Sequence, residues 1–192
     1  ELDGDRAEMH LDLKYGNGTV PELAEFFGID AESRNGRAEG RADIRFPLSS
    51  NALSRLNGRV NLTISDGRVM QTKLFAGLTQ LLAEKVPGIG TVVNQTDCTG
   101  EGEIIDGVLH VTNLQIEGTV FSIVASGTCN LVTGELDFLC RLTFMRSENL
   151  VGKVLSPIFW TVSKMLMEVK VGGTLQAPEW NYLGLFDRIQ GK

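Results

Sequence analysis

The sequence predicts an α+β domain: a curved, mostly antiparallel sheet of eight or nine strands, with two or three amphipathic helices covering its apolar face. Three observations carry this. From Glu101 to Met145 apolar and polar residues alternate with a period of two and almost no helical period. Turn dipeptides interrupt the alternation, and the phase inverts across them, so the apolar residues of successive strands return to one face. Outside the meander, the stretches Lys73 to Val86 and Glu148 to Met167 repeat their apolar residues at helical spacing.

The meander predicts its own register. Between Gly118 and Gly134 the apolar residues Phe121, Ile123, Ala125, Cys129 and Leu131 sit on odd positions, against Ser122, Ser126, Thr128 and Asn130 on even ones. After Thr133-Gly134 the apolar set is even: Leu136, Phe138, Cys140, Leu142 and Phe144. A two-residue loop at Thr133-Gly134 pairs Leu131 with Leu136, Cys129 with Phe138, Ala125 with Leu142 and Ile123 with Phe144. One hairpin earlier, Asp106-Gly107 is a dipeptide favoured where φ must be positive. It pairs Ile104 with Leu109 and sets Gly102 opposite Val111. The pattern slips at Asn113, after which Leu114 and Ile116 carry the apolar face, and a bulge is expected there.

In chain order, Arg6 to Tyr15 reads as a strand with Met9, Leu11 and Leu13 on one side, ended by Gly16-Asn17-Gly18. Thr19-Val20-Pro21-Glu22 reads as a helix entry, with Thr19 as N-cap, Glu22 three residues on, and Gly28 as the stop. Arg34 to Phe46 is strand-like and closed by Pro47. Leu56-Asn57-Gly58 opens a strand in which Val60, Leu62 and Ile64 alternate with Asn61, Thr63 and Ser65. A hairpin is expected at Asp66-Gly67, with Val69 answering Ile64. Its likeness to Asp106-Gly107 forms a weak internal repeat. Leu74, Leu78, Leu81, Leu82 and Val86 define an amphipathic helix at 73–86, ended by Pro87-Gly88. The second helix, 148–167, is kinked at Pro157 and more broadly apolar. Glu168 to Leu175 returns to strand, and Pro178-Glu179-Trp180 leads into a short amphipathic tail around Leu183, Leu185, Phe186 and Ile189.

Composition bounds the function. At 192 residues and 42% hydrophobic the chain fits one domain, 1–192, or a segment of a larger protein. Its net charge is −6 and its basic residues are scattered, which sets nucleic acid aside as a partner. No apolar run reaches the roughly 18 residues needed to span a bilayer. A start at Glu1 without Met or signal peptide is expected of a processed or excised piece. Cys98, Cys129 and Cys140 are too few and too far apart for a zinc site or disulfide scaffold, and read as small buried hydrophobes.

No catalytic constellation emerges. His10 and His110 sit on polar faces of separate strands without metal-ligand partners, so they read as solvated. Val124-Ala125-Ser126-Gly127 lacks the first glycine of a nucleophile elbow. Turn geometry accounts for Asp66 and Asp106. Gly100-Glu101-Gly102 continues into a strand and is no phosphate loop. The expectation is a non-enzymatic protein without cofactor or metal.

The order of these signals resembles the C-terminal region of the AsmA-like proteins of the Gram-negative envelope. The likeness covers 56–180. Its pieces are Leu56-Asn57-Gly58 with Ile64-Ser65-Asp66-Gly67, the following helix, Ile104-Ile105-Asp106-Gly107, the meander through Leu136-Asp137, and Gly172-Gly173-Thr174-Leu175-Gln176-Ala177-Pro178-Glu179-Trp180. The resemblance implies a periplasmic protein anchored to the inner membrane by a segment absent from this chain. Its curled sheet would form an apolar groove that binds or conducts phospholipid and supports outer-membrane biogenesis, with envelope proteins as further partners. Two features depart from the family: no transmembrane helix is present, and three cysteines are an odd number for an oxidising compartment. On this reading acyl chains lie against Val60, Leu62, Ile64, Ile104, Leu109, Phe121, Ile123, Phe138 and Leu142, with Leu155 and Phe159 contributed by the second helix. The alternative is a structural or assembly module for outer-membrane proteins, whose helices pack completely on the sheet and leave no lipid cavity.

Overall fold

A computed structural model describes residues 7–26, 36–67, 69–85, 96–118, 121–144 and 165–187. Nine strands form one open, curled, antiparallel sheet: β1 (Glu8–Thr19), β2 (Arg37–Pro47), β3 (Asn57–Gly67), β4 (Thr96–Ile105), β5 (Val108–Gly118), β6 (Phe121–Asn130), β7 (Leu136–Phe144), β8 (Met165–Gly173) and β9 (Pro178–Asp187). Spatial order equals chain order, so every strand pairs with its predecessor, and β1 and β9 are the two edges. Two helices are described, α1 (Val20–Phe26) and α2 (Lys73–Lys85). Single 3-10 turns lie at Leu53–Arg55 and Val69–Gln71.

Several local expectations hold. Thr19 and Glu22 form a reciprocal capping box on α1: the Thr19 N–H donates to Glu22 Oε2 (2.8 Å) and the Glu22 N–H to Thr19 Oγ1 (3.4 Å). Asp106-Gly107 makes the tight β4–β5 turn, with φ of 47° and 75°, and pairs Ile104 with Leu109 and Gly102 with Val111 as expected. The expected bulge is real: the register slips between Glu101↔Asn113 and Gly102↔Val111, and again between Val111 and Leu114 on the β6 side.

Other expectations need correction. The β6–β7 hairpin is two residues out of the expected register: Cys129 pairs with Leu136, Ala125 with Cys140 and Ile123 with Leu142. Asn130 is the reason. Its N–H donates to Glu135 O (2.9 Å) and its carbonyl accepts from the Gly134 N–H (2.7 Å). Its Oδ1 takes the N–H groups of Val132 (2.9 Å) and Thr133 (3.1 Å). The turn therefore begins earlier and encloses 131–134. Because the slip is an even number, each side chain keeps its face.

No hairpin forms at Asp66-Gly67. Asp66 does have positive φ (54°), yet the chain runs on into the turn Val69–Gln71 and α2, and β3 pairs instead with β4, Ile64 lying opposite Cys98. Val69 and Met70 are buried in the core, and the Asp66 N–H donates to Asp97 Oδ1 (2.8 Å). Core burial and a partner 31 residues away decide where the chain goes, so the apparent repeat is a shared turn signal and nothing more. Gly16-Asn17-Gly18 does not end β1, which continues to Thr19 after an irregularity between Tyr15 and Gly18. Met165 to Met167 belong to β8, not to a helix, and the rest of the expected helix, 148–164, lies outside the described residues. The expected tail is the ninth strand as far as Asp187.

Rows across the sheet show how the core is built. Ala38, Ile64, Cys98, Ile116, Ile123, Leu142 and Met167 lie side by side from β2 to β8, and every one is buried. Phe75, Leu78 and Leu82 of α2 belong to the same buried cluster, as does Val20 of α1. Glycines let large neighbours lie flat on this face. A Cβ on Gly127 would stand 2.8 Å from the Phe138 ring and 2.2 Å from Asp137 O, and one on Gly100 would stand 2.9 Å from Leu114 Cδ1.

Candidate functional site

The only extended feature among the described residues with the character of a binding surface is the apolar face itself. One row reads Leu13, Ala42, Val60, Gly102, Val111, Gly127, Phe138, Val171 and Trp180, one residue from each strand. The neighbouring row reads Tyr15, Gly40, Leu62, Gly100, Leu114, Ala125, Cys140, Val169 and Tyr182. Strand spacing makes such a row roughly 38 Å long along the sheet. No charged residue occurs in either row, because strict alternation sends the charges to the other face.

Burial is graded along the rows. In the first row Leu13 is 49% exposed, the positions from Ala42 to Phe138 are half-buried, and Val171 is 4% exposed. In the second the change comes between Leu114, half-buried, and Ala125, which is buried. Along these two rows the apolar face is therefore accessible toward β1 and packed toward β8, while the row from Ala38 to Met167 is buried throughout.

The sequence-derived candidates divide along this gradient. Val60, Leu62, Ile64, Ile104, Leu109, Phe121, Ile123, Phe138 and Leu142 all lie on the one apolar face, as their alternation implied. Val60, Leu62, Leu109 and Phe138 are half-buried. Ile64, Ile104, Phe121, Ile123 and Leu142 are buried, the last three at 1% exposure or less, so packing within the chain already satisfies them. Leu155 and Phe159 lie outside the described residues.

Sequence reasoning missed how the first row ends on β9. The Trp180 indole Nε1–H of β9 donates to Leu74 O of α2 (3.0 Å), and its ring centroid stands 5.6 Å from that of Phe75. A Cβ on Gly77 would lie 2.7 Å from Trp180 Cδ1, so only glycine admits the ring there. The partners are 106 residues apart, and the one available signal was a glycine inside an otherwise good helix pattern.

The three cysteines are buried free thiols on the same face. Desolvation pushes Cys98 and Cys140 up to about 12 and raises Cys129 as well, so none is a ready nucleophile or metal ligand. The opposite face carries exposed ion pairs: His10–Asp43 (2.7 Å), Arg41–Asp12 (2.6 Å), Arg141–Glu168 (2.8 Å) and Lys170–Asp137 (3.2 Å). The His10 hydrogen bond holds the Asp43 carboxyl below its ordinary range. A hollow of about 390 Å³ also opens there, between Asp43, Arg45, Arg59 and Glu103, with Arg59 4.0 Å from Glu103. Among the described residues no three His, Cys, Asp or Glu side chains are grouped to hold a metal ion, and no helix is long and apolar enough to cross a membrane.

Compared with known proteins, the chain matches no family model, no curated protein and no solved structure.

Proposed function

We propose that this domain is a non-enzymatic lipid-binding module whose concave apolar face holds phospholipid acyl chains while the head groups stay in water. The observation that carries this reading is the nine-residue uncharged row from Leu13 to Trp180, half-buried over most of its length. A half-exposed apolar strip of this extent is costly in water and needs an apolar occupant. The part between β1 and β7 is roughly 29 Å long. An extended acyl chain reaches about half of a ~30 Å bilayer core, so it fits within that length. The resemblance of 56–180 to the AsmA-like proteins supports the same reading. It adds the setting: a periplasmic segment of a protein anchored to the inner membrane, serving outer-membrane biogenesis, with envelope proteins as further partners.

On this reading α2 covers the β8–β9 side of the face, and Val60, Leu62, Leu109 and Phe138 meet lipid. Ile64, Phe121, Ile123 and Leu142 support the wall from within. Binding need not be tight, since leaving the bilayer loses ~0.8 kcal/mol per CH₂ and entering an apolar groove regains a similar amount.

The packed row from Ala38 to Met167 favours a second reading, an assembly module whose sheet edges recruit partner strands. One experiment separates the two. Native mass spectrometry of the purified chain should show co-purified phospholipid. Val60→Asp with Phe138→Asp should then abolish retention of a fluorescent phospholipid while circular dichroism stays that of a sheet. A folded protein that neither carries nor retains lipid would leave the assembly module standing.

A further inference from the structure

Accepting the lipid reading, we propose that the row is a one-ended site: acyl chains enter from the β1 side, and the packed β8–β9 end, Val171 backed by Trp180 and α2, forms the stop against which the terminal methyl rests. Leu13 at the β1 end is 49% exposed, the positions from Ala42 to Phe138 are half-buried, Val171 is 4% exposed, and Trp180 behind it is half-buried. Beyond Val171 the row meets an indole held on three sides. Its N–H is fixed by Leu74 O at 3.0 Å, Phe75 stands 5.6 Å away, and the Gly77 backbone admits it by lacking a Cβ. An indole so held has a fixed donor and a packed ring, so displacing it would leave its N–H and the Val171 surface unpartnered.

A site closed at one end ranks ligands by chain length, whereas a conduit open at both ends does not. The Trp180 side of the row therefore sets specificity, and the head group remains on the β1 side, beyond Phe138.

The test uses tryptophan as a depth gauge. The sequence holds two tryptophans, so Trp160→Phe isolates Trp180. The variant is loaded with phosphatidylcholine carrying a doxyl quencher either near the head group or near the methyl end of one chain. Quenching of Trp180 should be at least about three times stronger with the methyl-end label. Equal quenching, or stronger quenching by the label near the head group, with lipid retained in both cases, overturns the end stop and leaves the lipid reading intact. No retention of either lipid by the folded protein overturns both. Should Trp160→Phe not fold, paramagnetic broadening of the Trp180 indole N–H signal in the unaltered chain gives the same comparison. The Trp180→Phe spectrum assigns that signal.

Discussion

Cys98 and Cys140 show how a side chain that does no chemistry can still govern a pH dependence. Burial raises both thiols from the ordinary 9.0 to about 12, and Cys129 moves the same way. Below pH 9 these thiols are neutral in folded and unfolded chains alike, so their contribution is fully present. Above it the unfolded chain releases protons that the folded chain retains, and stability falls as pH rises toward about 12. Urea unfolding at pH 8, 9.5 and 10.5 should show this decline, and Cys98→Ala with Cys140→Ala should make it shallower. An unchanged slope in the double variant would mean that other groups, tyrosines and lysines among them, cause the alkaline loss. Alternation alone placed these cysteines on the apolar face, because in a strand the face follows from parity.

At the scale of the element, the β6–β7 hairpin shows where local reading stops. The face of each side chain was legible from Phe121 to Phe144, yet the register was not, since two loop lengths of equal parity give identical faces. The choice rests on Asn130, whose Oδ1 holds the N–H groups of Val132 and Thr133 at 2.9 and 3.1 Å. Asn130→Ala should lower stability by about 1–2 kcal/mol, measured by chemical denaturation, because two loop amides lose their acceptor. Ser126→Ala, on the exposed face of the same strand, should change it by less than about 0.5 kcal/mol. Equal effects would show that the turn, not Asn130, sets the register.

In the whole molecule, packing is uneven in a way that a simple strand order does not foretell. Among the described strands, buried residues concentrate in β6, β7 and β8, while β1 is an edge strand with Met9 and Leu13 exposed. Amide exchange should therefore be slowest in 121–130, 136–144 and 167–171 and fastest in 8–15. Uniform protection across the nine strands would contradict this gradient. On the proposed lipid reading, added phospholipid should slow exchange at 57–62 and 108–114, where the apolar face is half-buried, more than at 121–130.

By itself the sequence determined the strands of the meander, the face of each of their side chains, the capping box at Thr19 and Glu22, and the tight turn at Asp106-Gly107. Each depends on residues within a few positions of one another, where parity, capping and turn chemistry are local physics. Only the tertiary structure decided that Asp66-Gly67 leads to a helix and not a hairpin, that Met165 to Met167 extend a strand, and that Trp180 closes on Leu74. Each outcome is set by partners distant in the chain. The positive φ of Asp66 is common to both kinds of turn. The apolar run into Met167 suits helix and strand alike until Leu142 lies beside it. Trp180 meets α2 only once nine strands have curled far enough to bring the last against the helix that follows the third.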